Sequence, residues 1–209
     1  MKFNSQSNQD LFILTCLKSK QNGTFLEIGS NDPININNTY LLESEFGWRG
    51  IMVECEEHFL ESYKKIRPNS YHLIKDATKI DYLKELQSKN FVESLDYLQI
   101  DLEVDNKSTI DTLILLDETV FNSYKFAVVT FEHDIYRGDY FNTRKISREI
   151  FNKRGYICVF KDVENEGYAF EDWYVHPSLV DMTHINKFIS LKDRNSNVDI
   201  RKVLETNLK

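Results

Sequence analysis

The run Phe25-Leu26-Glu27-Ile28-Gly29-Ser30-Asn31-Asp32-Pro33 passes from apolar residues into an acid, a glycine and then small polar residues. Glycine at 29 lets a ligand approach the backbone, and Glu27 beside it attracts positive charge. Glu27, Gly29, Ser30 and Asn31 therefore read as a loop for a cationic cofactor. The amino and sulfonium groups of S-adenosylmethionine meet that description. A pyrophosphate wants a full G-x-G-x-x-G turn and a helix N-terminus free of acids. Here Asn31 replaces the second glycine, and Glu27 and Asp32 flank the site, which weighs against a dinucleotide. The plain alternative is a strand-to-loop turn with a structural glycine.

Glu54 closes the next strand-like run, Arg49-Gly50-Ile51-Met52-Val53-Glu54, 25 residues after Gly29. That interval suits a carboxylate that binds the two hydroxyls of a ribose. Asp76, followed by Ala77, ends a third run and can accept from an adenine amino group. Two further runs end in acids, Asp96 to Glu103 and Val128 to Asp134. Ligands of open α/β sheets sit outside the carboxyl ends of the strands, so Asp101 and Glu132-His133-Asp134 are expected in one crevice. A hydroxyl acceptor must lose its proton as it is alkylated, which calls for a base or a metal. His133 is the candidate base, with Asp101 and Glu132 beside it; the other reading of His133 is a packing histidine held by a nearby carboxylate. Asp101, Glu132 and Asp134 are a candidate set for Mg2+. Of the other histidines, only His176 is placed near the crevice mouth.

These residues need strands to carry them. Thr24 to Ile28, Gly50 to Val53, Tyr71 to Ile74, Leu95 to Asp101 and Phe126 to Glu132 read as strands. Helical patterns over Glu57 to Ile66, Tyr82 to Ser88, Ser108 to Leu116 and Phe141 to Lys153 alternate with them, which implies parallel pairing. Tyr156 to Phe160 and Trp173 to His176, with Glu164-Asn165-Glu166-Gly167 between, predict a terminal antiparallel hairpin. The sum is an α/β, Rossmann-like sheet of seven mostly parallel strands with helices on both faces. An N-terminal helix around Leu11, Leu14 and Leu17 precedes it, and residues 1–22 are expected to form a helical lid over the cofactor. Residues 1–180 read as a single domain, with 181–209 as a peripheral helix or tail. That tail is polar over Lys192 to Asn197 and periodic over Val198 to Leu204.

The formal net charge of -7 repels phosphate backbones. The small basic groups Lys64, Lys65, Arg67 and Arg144, Lys145, Arg148 stand beside acids and read as solvated faces, so nucleic acid is not expected as a partner. Cys16, Cys55 and Cys158 lack ligand or disulfide spacing, the first residues lack a signal pattern, and no apolar stretch is long enough to span a bilayer. A cytoplasmic protein with no membrane partner is expected. The oligomeric state is not readable.

Four pieces in order resemble the FkbM family of S-adenosylmethionine-dependent methyltransferases: Ser5-Gln6 with Gln9-Asp10-Leu11-Phe12; Phe25 to Pro33; Asn38 to Glu43 leading to Gly47 to Glu54; and Asp96 to Glu103. The likeness spans about residues 5–175. It implies a class I methyltransferase fold with the cofactor over Gly29. It further implies cofactor contacts around Glu27, Gly29, Asn31, Glu54 and Asp76, an acceptor side around Asp101 and Glu132, and methylation of hydroxyls on sugars, glycans or small metabolites. Cys55 stands where the family often has proline, and Val104 where a glycine usually follows. Two rival readings remain at this level: a nicotinamide-dependent oxidoreductase, and a non-catalytic Rossmann-like interaction subunit of a glycan pathway.

Overall fold

The computed structural model describes residues 2–192 and 199–208. Seven strands form one sheet: β1 (Thr24–Ile28), β2 (Arg49–Glu54), β3 (Tyr71–Ile74), β4 (Ser94–Ile100), β5 (Lys125–Glu132), β6 (Ile157–Asn165) and β7 (Tyr168–Val175). Their order is β3-β2-β1-β4-β5-β7-β6. The first five are parallel, and β7 runs antiparallel to both β5 and β6. The interiors of β1, β4 and β5 are buried throughout, as strands covered on both faces must be. The expected fold class is the observed one. The hairpin strands extend further toward their turn than their apolar pattern implies, because register shifts at Cys158, Phe160 and Val163 interrupt the alternation. Glu166 and Gly167, at φ +52° and +85°, make the two-residue turn between paired Asn165 and Tyr168.

Helices α1 (Gln9–Cys16), α2 (Tyr40–Phe46), α3 (Leu60–Ile66), α7 (Met182–Lys192) and α8 (Ile200–Asn207) share one hydrophobic core with Phe25, Met52, Tyr97, Val128 and Trp173. Helices α4 (Tyr82–Ser88), α5 (Ser108–Thr119) and α6 (Thr143–Lys153) share the other with Leu26, Ile51, Leu98, Val129 and Tyr174. Successive strand residues thus divide between the two faces with the period of two that a pleated strand imposes. That division decides which acids meet at the strand ends.

The N-terminal helix departs from its expected role. All eight residues of α1, the polar Gln9, Asp10 and Thr15 included, are buried, so α1 is a core element and not a lid. The strap before it is tied to the loop that follows β1. Ser5 bridges Ile36, and Asp10 accepts from the backbone N–H of Asn4 and Ser5 at 2.6 and 3.2 Å. The C-terminal helices bring Ile185, Phe188 and Leu204, each fully buried, into the same core, and His184 Nε2 lies 2.9 Å from the Thr15 carbonyl oxygen. The polar stretch expected over Lys192 to Asn197 falls largely on residues 193–198, outside those described.

Candidate active site

Gly29 leaves β1 at φ +86°, and a Cβ there would come within 1.7 Å of the Asp101 carbonyl oxygen. The glycine is thus required by the close approach of two strand ends as well as by any ligand. Ser30 and Asn31 continue the turn. Asn31, at φ +46°, donates its N–H to Glu54 Oε2 at 2.9 Å. Glu54 Oε1 accepts from the N–H groups of Cys55 and Glu56 at 2.7 and 3.1 Å. Three of about four lone-pair sites on Glu54 are therefore committed to holding the two loops together, leaving one for a ligand.

A cavity of about 320 Å3 opens beside that junction. Val53, Ala77 and Leu102 give it apolar walls, and Glu54, Asp76 and Glu103 carry carboxylates at its rim. An apolar slot with a few placed polar groups suits a purine ring with its ribose. Asp76 caps the turn at Ala77–Lys79 through Thr78 N–H at 3.0 Å, and its pKa is lowered to about 2, first by Lys79 and then by Thr78. It stays ionised at any working pH. Of the seven residues expected at a cofactor, Glu54, Asp76 and Ala77 line this cavity, Ser30 and Asn31 form the turn bonded to Glu54, and Gly29 and Glu27 belong to the β1 end that leads into that turn.

Glu27 is fully buried. Burial raises its pKa, against the pull of Arg67, Thr39, Asn37 and Ser30, to about 7. Its Oε1 has no hydrogen-bond partner among the described residues. A buried carboxyl with an unmet oxygen fits a cationic ligand group such as an ammonium. Behind it Arg67, with a fully buried side chain, bonds Glu43 at 2.9 Å, Thr39 Oγ1 at 2.6 Å and Asn37 Oδ1 at 3.0 Å. This corrects the reading of Arg67 as part of a solvated face: the residue is the internal strut of the loop from Pro33 to Thr39. The helical spacing that suggests a solvated face ends at Ile66, so nothing in it governs Arg67.

On the other side of Asp101 lies a carboxylate cluster. Tyr97, Gln99 and Asp101 of the β4 end share a face with Thr130 and Glu132 of β5 and, in register opposite Glu132, Glu171 of β7. Burial holds Asp101 and Glu132 above the ordinary carboxylate range. The two carboxyls lie close enough to share a proton, and the pair holds it as a unit. The other acids acting on Asp101 are Asp134, Glu103 and Glu54, all of which raise it. Glu171 is fully buried, accepts from Gln9 Nε2 at 3.1 Å and Trp173 Nε1 at 2.5 Å, and is pushed by burial to about 8. None of Glu27, Asp101, Glu132 and Glu171 forms a salt bridge among the described residues. Gln9 and Glu171 escape sequence reasoning because a helix before the sheet and an antiparallel strand at its far side supply them.

His133 is elsewhere. As the residue after Glu132 it faces the opposite side of the sheet, where its Nε2, with no side-chain exposure, stands 3.5 Å from both Asp162 Oδ1 and Asp172 Oδ1. Its Nδ1 accepts the Ile135 N–H at 3.3 Å. The candidate base is therefore a packing histidine among carboxylates, and the strand period explains why it cannot share a crevice with Glu132. Glu132 and Asp134 both line a second cavity of about 250 Å3, Asp134 being brought there by the left-handed turn (φ +46°) that follows β5. His176 follows Val175, which pairs with Val128 in the first half of β5, and so lies toward the opposite edge of the sheet from the crevice.

The Mg2+ set also fails on geometry. Among the described residues the one group of three ligand-type side chains within 4.8 Å of one another is His133, Asp162 and Asp172, not Asp101, Glu132 and Asp134. Asp134 is engaged by Arg137 Nη1 at 3.3 Å, and Asp101 and Glu132 hold a proton between them. In the His133 group, Arg148 reaches Asp172 Oδ2 at 2.6 Å and Asp162 Oδ1 at 2.9 Å, and Arg144 reaches Asp162 at 3.0 Å. Guanidinium groups already supply the positive charge a metal would bring.

No protein family and no curated protein matches the chain. Solved structures do. A cofactor-bound protein from MTB is 14% identical, over 84% of this chain and 83% of that one, with a TM-score of 0.56. A SAM-dependent O-methyltransferase from Thermotoga maritima is 12% identical over 84% and 67%, with a TM-score of 0.51. The 1,6-didemethyltoxoflavin-N1-methyltransferase of Burkholderia thailandensis, solved with that compound and S-adenosylhomocysteine, is 8% identical over 82% and 77%, with a TM-score of 0.51. The fold is that of the class I, Rossmann-like methyltransferases.

Proposed function

We propose that the chain is an S-adenosylmethionine-dependent methyltransferase of the FkbM type, acting in the cytoplasm on a hydroxyl of a sugar, glycan or small metabolite. The observation that carries this reading is the pair of cavities flanking the end of β4: Leu102 and Glu103, next to Asp101, line a purine-sized cavity with Glu54 and Asp76, and Glu132, the neighbour of Asp101, lines a carboxylate-rich one. The first suits a donor and the second an acceptor.

The bound donor supplies an electrophilic methyl group on a sulfonium. Glu54 and Asp76 hold the nucleoside, and Glu27 offers its unmet oxygen to the amino acid end. Asp101 takes the hydroxyl proton as the acceptor oxygen forms its bond to the methyl carbon and the bond from that carbon to sulfur breaks. A base whose pKa is raised above the ordinary carboxylate range is suited to that proton. Glu132 keeps Asp101 oriented and donates to it.

The test is methyl transfer from radiolabelled S-adenosylmethionine to a panel of oligosaccharides, with and without chelator. Incorporation that persists in chelator and falls roughly a hundredfold or more in Asp101→Asn supports the reading. Tight binding of NADH with no binding of S-adenosylhomocysteine replaces it with the oxidoreductase. Binding of S-adenosylhomocysteine with no transfer to any acceptor favours the non-catalytic subunit.

A further inference from the structure

The cavity at Glu132 has a chemistry of its own. Its volume of about 250 Å3 lies below the ~300–1,000 Å3 of sites for drug-sized ligands, which limits it to one ring-sized group. Glu132, Asp134 and Glu166 contribute three carboxyl groups, and among the described residues no lysine, arginine or histidine lines it. Arg137 approaches Asp134, but its guanidinium is divided with Asp105 at 3.2 Å and Glu103 at 3.7 Å, so the acids outnumber it.

Two aromatic rings form part of the wall. Tyr136 and Tyr168 are 50% and 57% exposed, with ring centroids 5.1 Å apart and planes inclined by 47°. Rings that open to solvent as a pair offer faces to the C–H groups of a sugar or to a cation. The carboxamides of Gln6, from the N-terminal strap, and Asn165, from the hairpin end, add hydrogen-bonding groups for hydroxyls.

A second observation lies outside the wall. Glu171 stands opposite Glu132 in the β5–β7 register, on the same sheet face, with a fully buried side chain. Its Oε1 has no hydrogen-bond partner among the described residues. As the register partner of the lining residue Glu132, this further acid adds to a site that favours positive charge over an anion.

On the basis of the methyltransferase reading, we infer that this cavity selects an acceptor ring bearing an amino group, an aminated sugar unit, and rejects phosphorylated or carboxylated sugars. The ammonium sits toward Glu166 and Asp134, the ring lies on the tyrosines, and a neighbouring hydroxyl reaches Asp101. Electrostatic repulsion of anionic sugars supplies the rejection half of the selectivity.

Calorimetric titration of the protein saturated with S-adenosylhomocysteine tests this with three probes of equal length: a glucosamine trimer, an N-acetylglucosamine trimer and a galacturonic acid trimer. The glucosamine trimer is expected to bind at least tenfold tighter than the N-acetylated one, with no heat from the galacturonic acid trimer. Glu166→Gln is expected to shrink that preference while leaving S-adenosylhomocysteine affinity unchanged. Equal affinity for the amine and the N-acetyl trimer, tighter binding of the acid trimer, or no binding by all three overturns the inference with the donor site intact. Failure of S-adenosylhomocysteine itself to bind overturns the methyltransferase reading, and this one with it.

Discussion

Where the end of β5 pairs with the middle of β7, neighbouring residues meet opposite fates. On one face Glu132 and Glu171 join Asp101 with no cation paired to any of them among the described residues, and burial drives their pKa values up. On the other face the next residues along the chain, His133 and Asp172, join Asp162 under Arg144 and Arg148. There the pKa of Asp172, although resisted by burial, is held well below the ordinary range by Arg148 and His133. A buried cluster whose charges are matched is a structural device. One whose charges are unmatched costs stability and is the kind of site where a ligand or a reaction supplies what is missing.

The largest expected effect probes that contrast through activity. Asp101→Asn removes the proton acceptor, so turnover falls roughly a hundredfold or more while S-adenosylhomocysteine affinity and unfolding free energy change little. Steady-state kinetics beside a denaturant titration check it; normal turnover would place the chemistry elsewhere. The mirror experiment is Arg148→Ala on the other face. It strands the fully buried Asp172, whose partner at 2.6 Å is lost, and is expected to cost about 3 kcal/mol in a urea titration. Donor affinity of the folded protein should hold. If Arg148→Ala were harmless and Asp101→Asn unfolded the chain, the roles of the two faces would be reversed.

How far these faces can be read from the sequence differs element by element. The five parallel strands emerge nearly to the residue, because short runs dominated by apolar and β-favouring residues stand between turn signals, even at the half-exposed edge strand β3. Helix α2 is not legible: seven residues with Glu43, Ser44 and Glu45 in the middle give too little periodicity, although Gly47 at φ +68° marks its end. At the site, Glu54, Asp76 and Ala77 are found by their place at strand ends, and Asp101 with Glu132 likewise. His133 is misplaced by its neighbours in sequence, even though the period of two along β5 predicts its side. Glu171 and Gln9 stay hidden, since their meeting, 162 residues apart, depends on an antiparallel strand and a buried helix converging.

pH offers a smaller effect that separates the faces again. Glu27 and Glu171 have folded pKa values of about 7 and about 8, above their ordinary value of 4.5. Groups raised on folding contribute stability that is full below the unfolded pKa and lost as pH rises through the folded one. The unliganded protein should therefore unfold at a temperature about 5 °C or more lower at pH 8.5 than at pH 5.5. Scanning calorimetry checks it. Glu171→Gln should flatten the decline, whereas Asp172, whose pKa is lowered, acts only in strong acid. The smallest change expected is at the cavity rim: Asp76→Asn, on an exposed turn, should weaken the donor analogue a few-fold and move stability by less than ~0.5 kcal/mol.

The decisive experiment is the affinity of S-adenosylhomocysteine measured by calorimetry from pH 6 to 8.5 on the wild-type chain and on the Glu27→Gln variant. Ionisation of Glu27 favours the analogue's ammonium, so wild-type affinity should climb through about pH 7 and level off, and the variant should bind more weakly with no such climb. Absence of binding, or identical pH profiles for the two proteins, would contradict a donor site built on Glu27, Gly29 and Glu54.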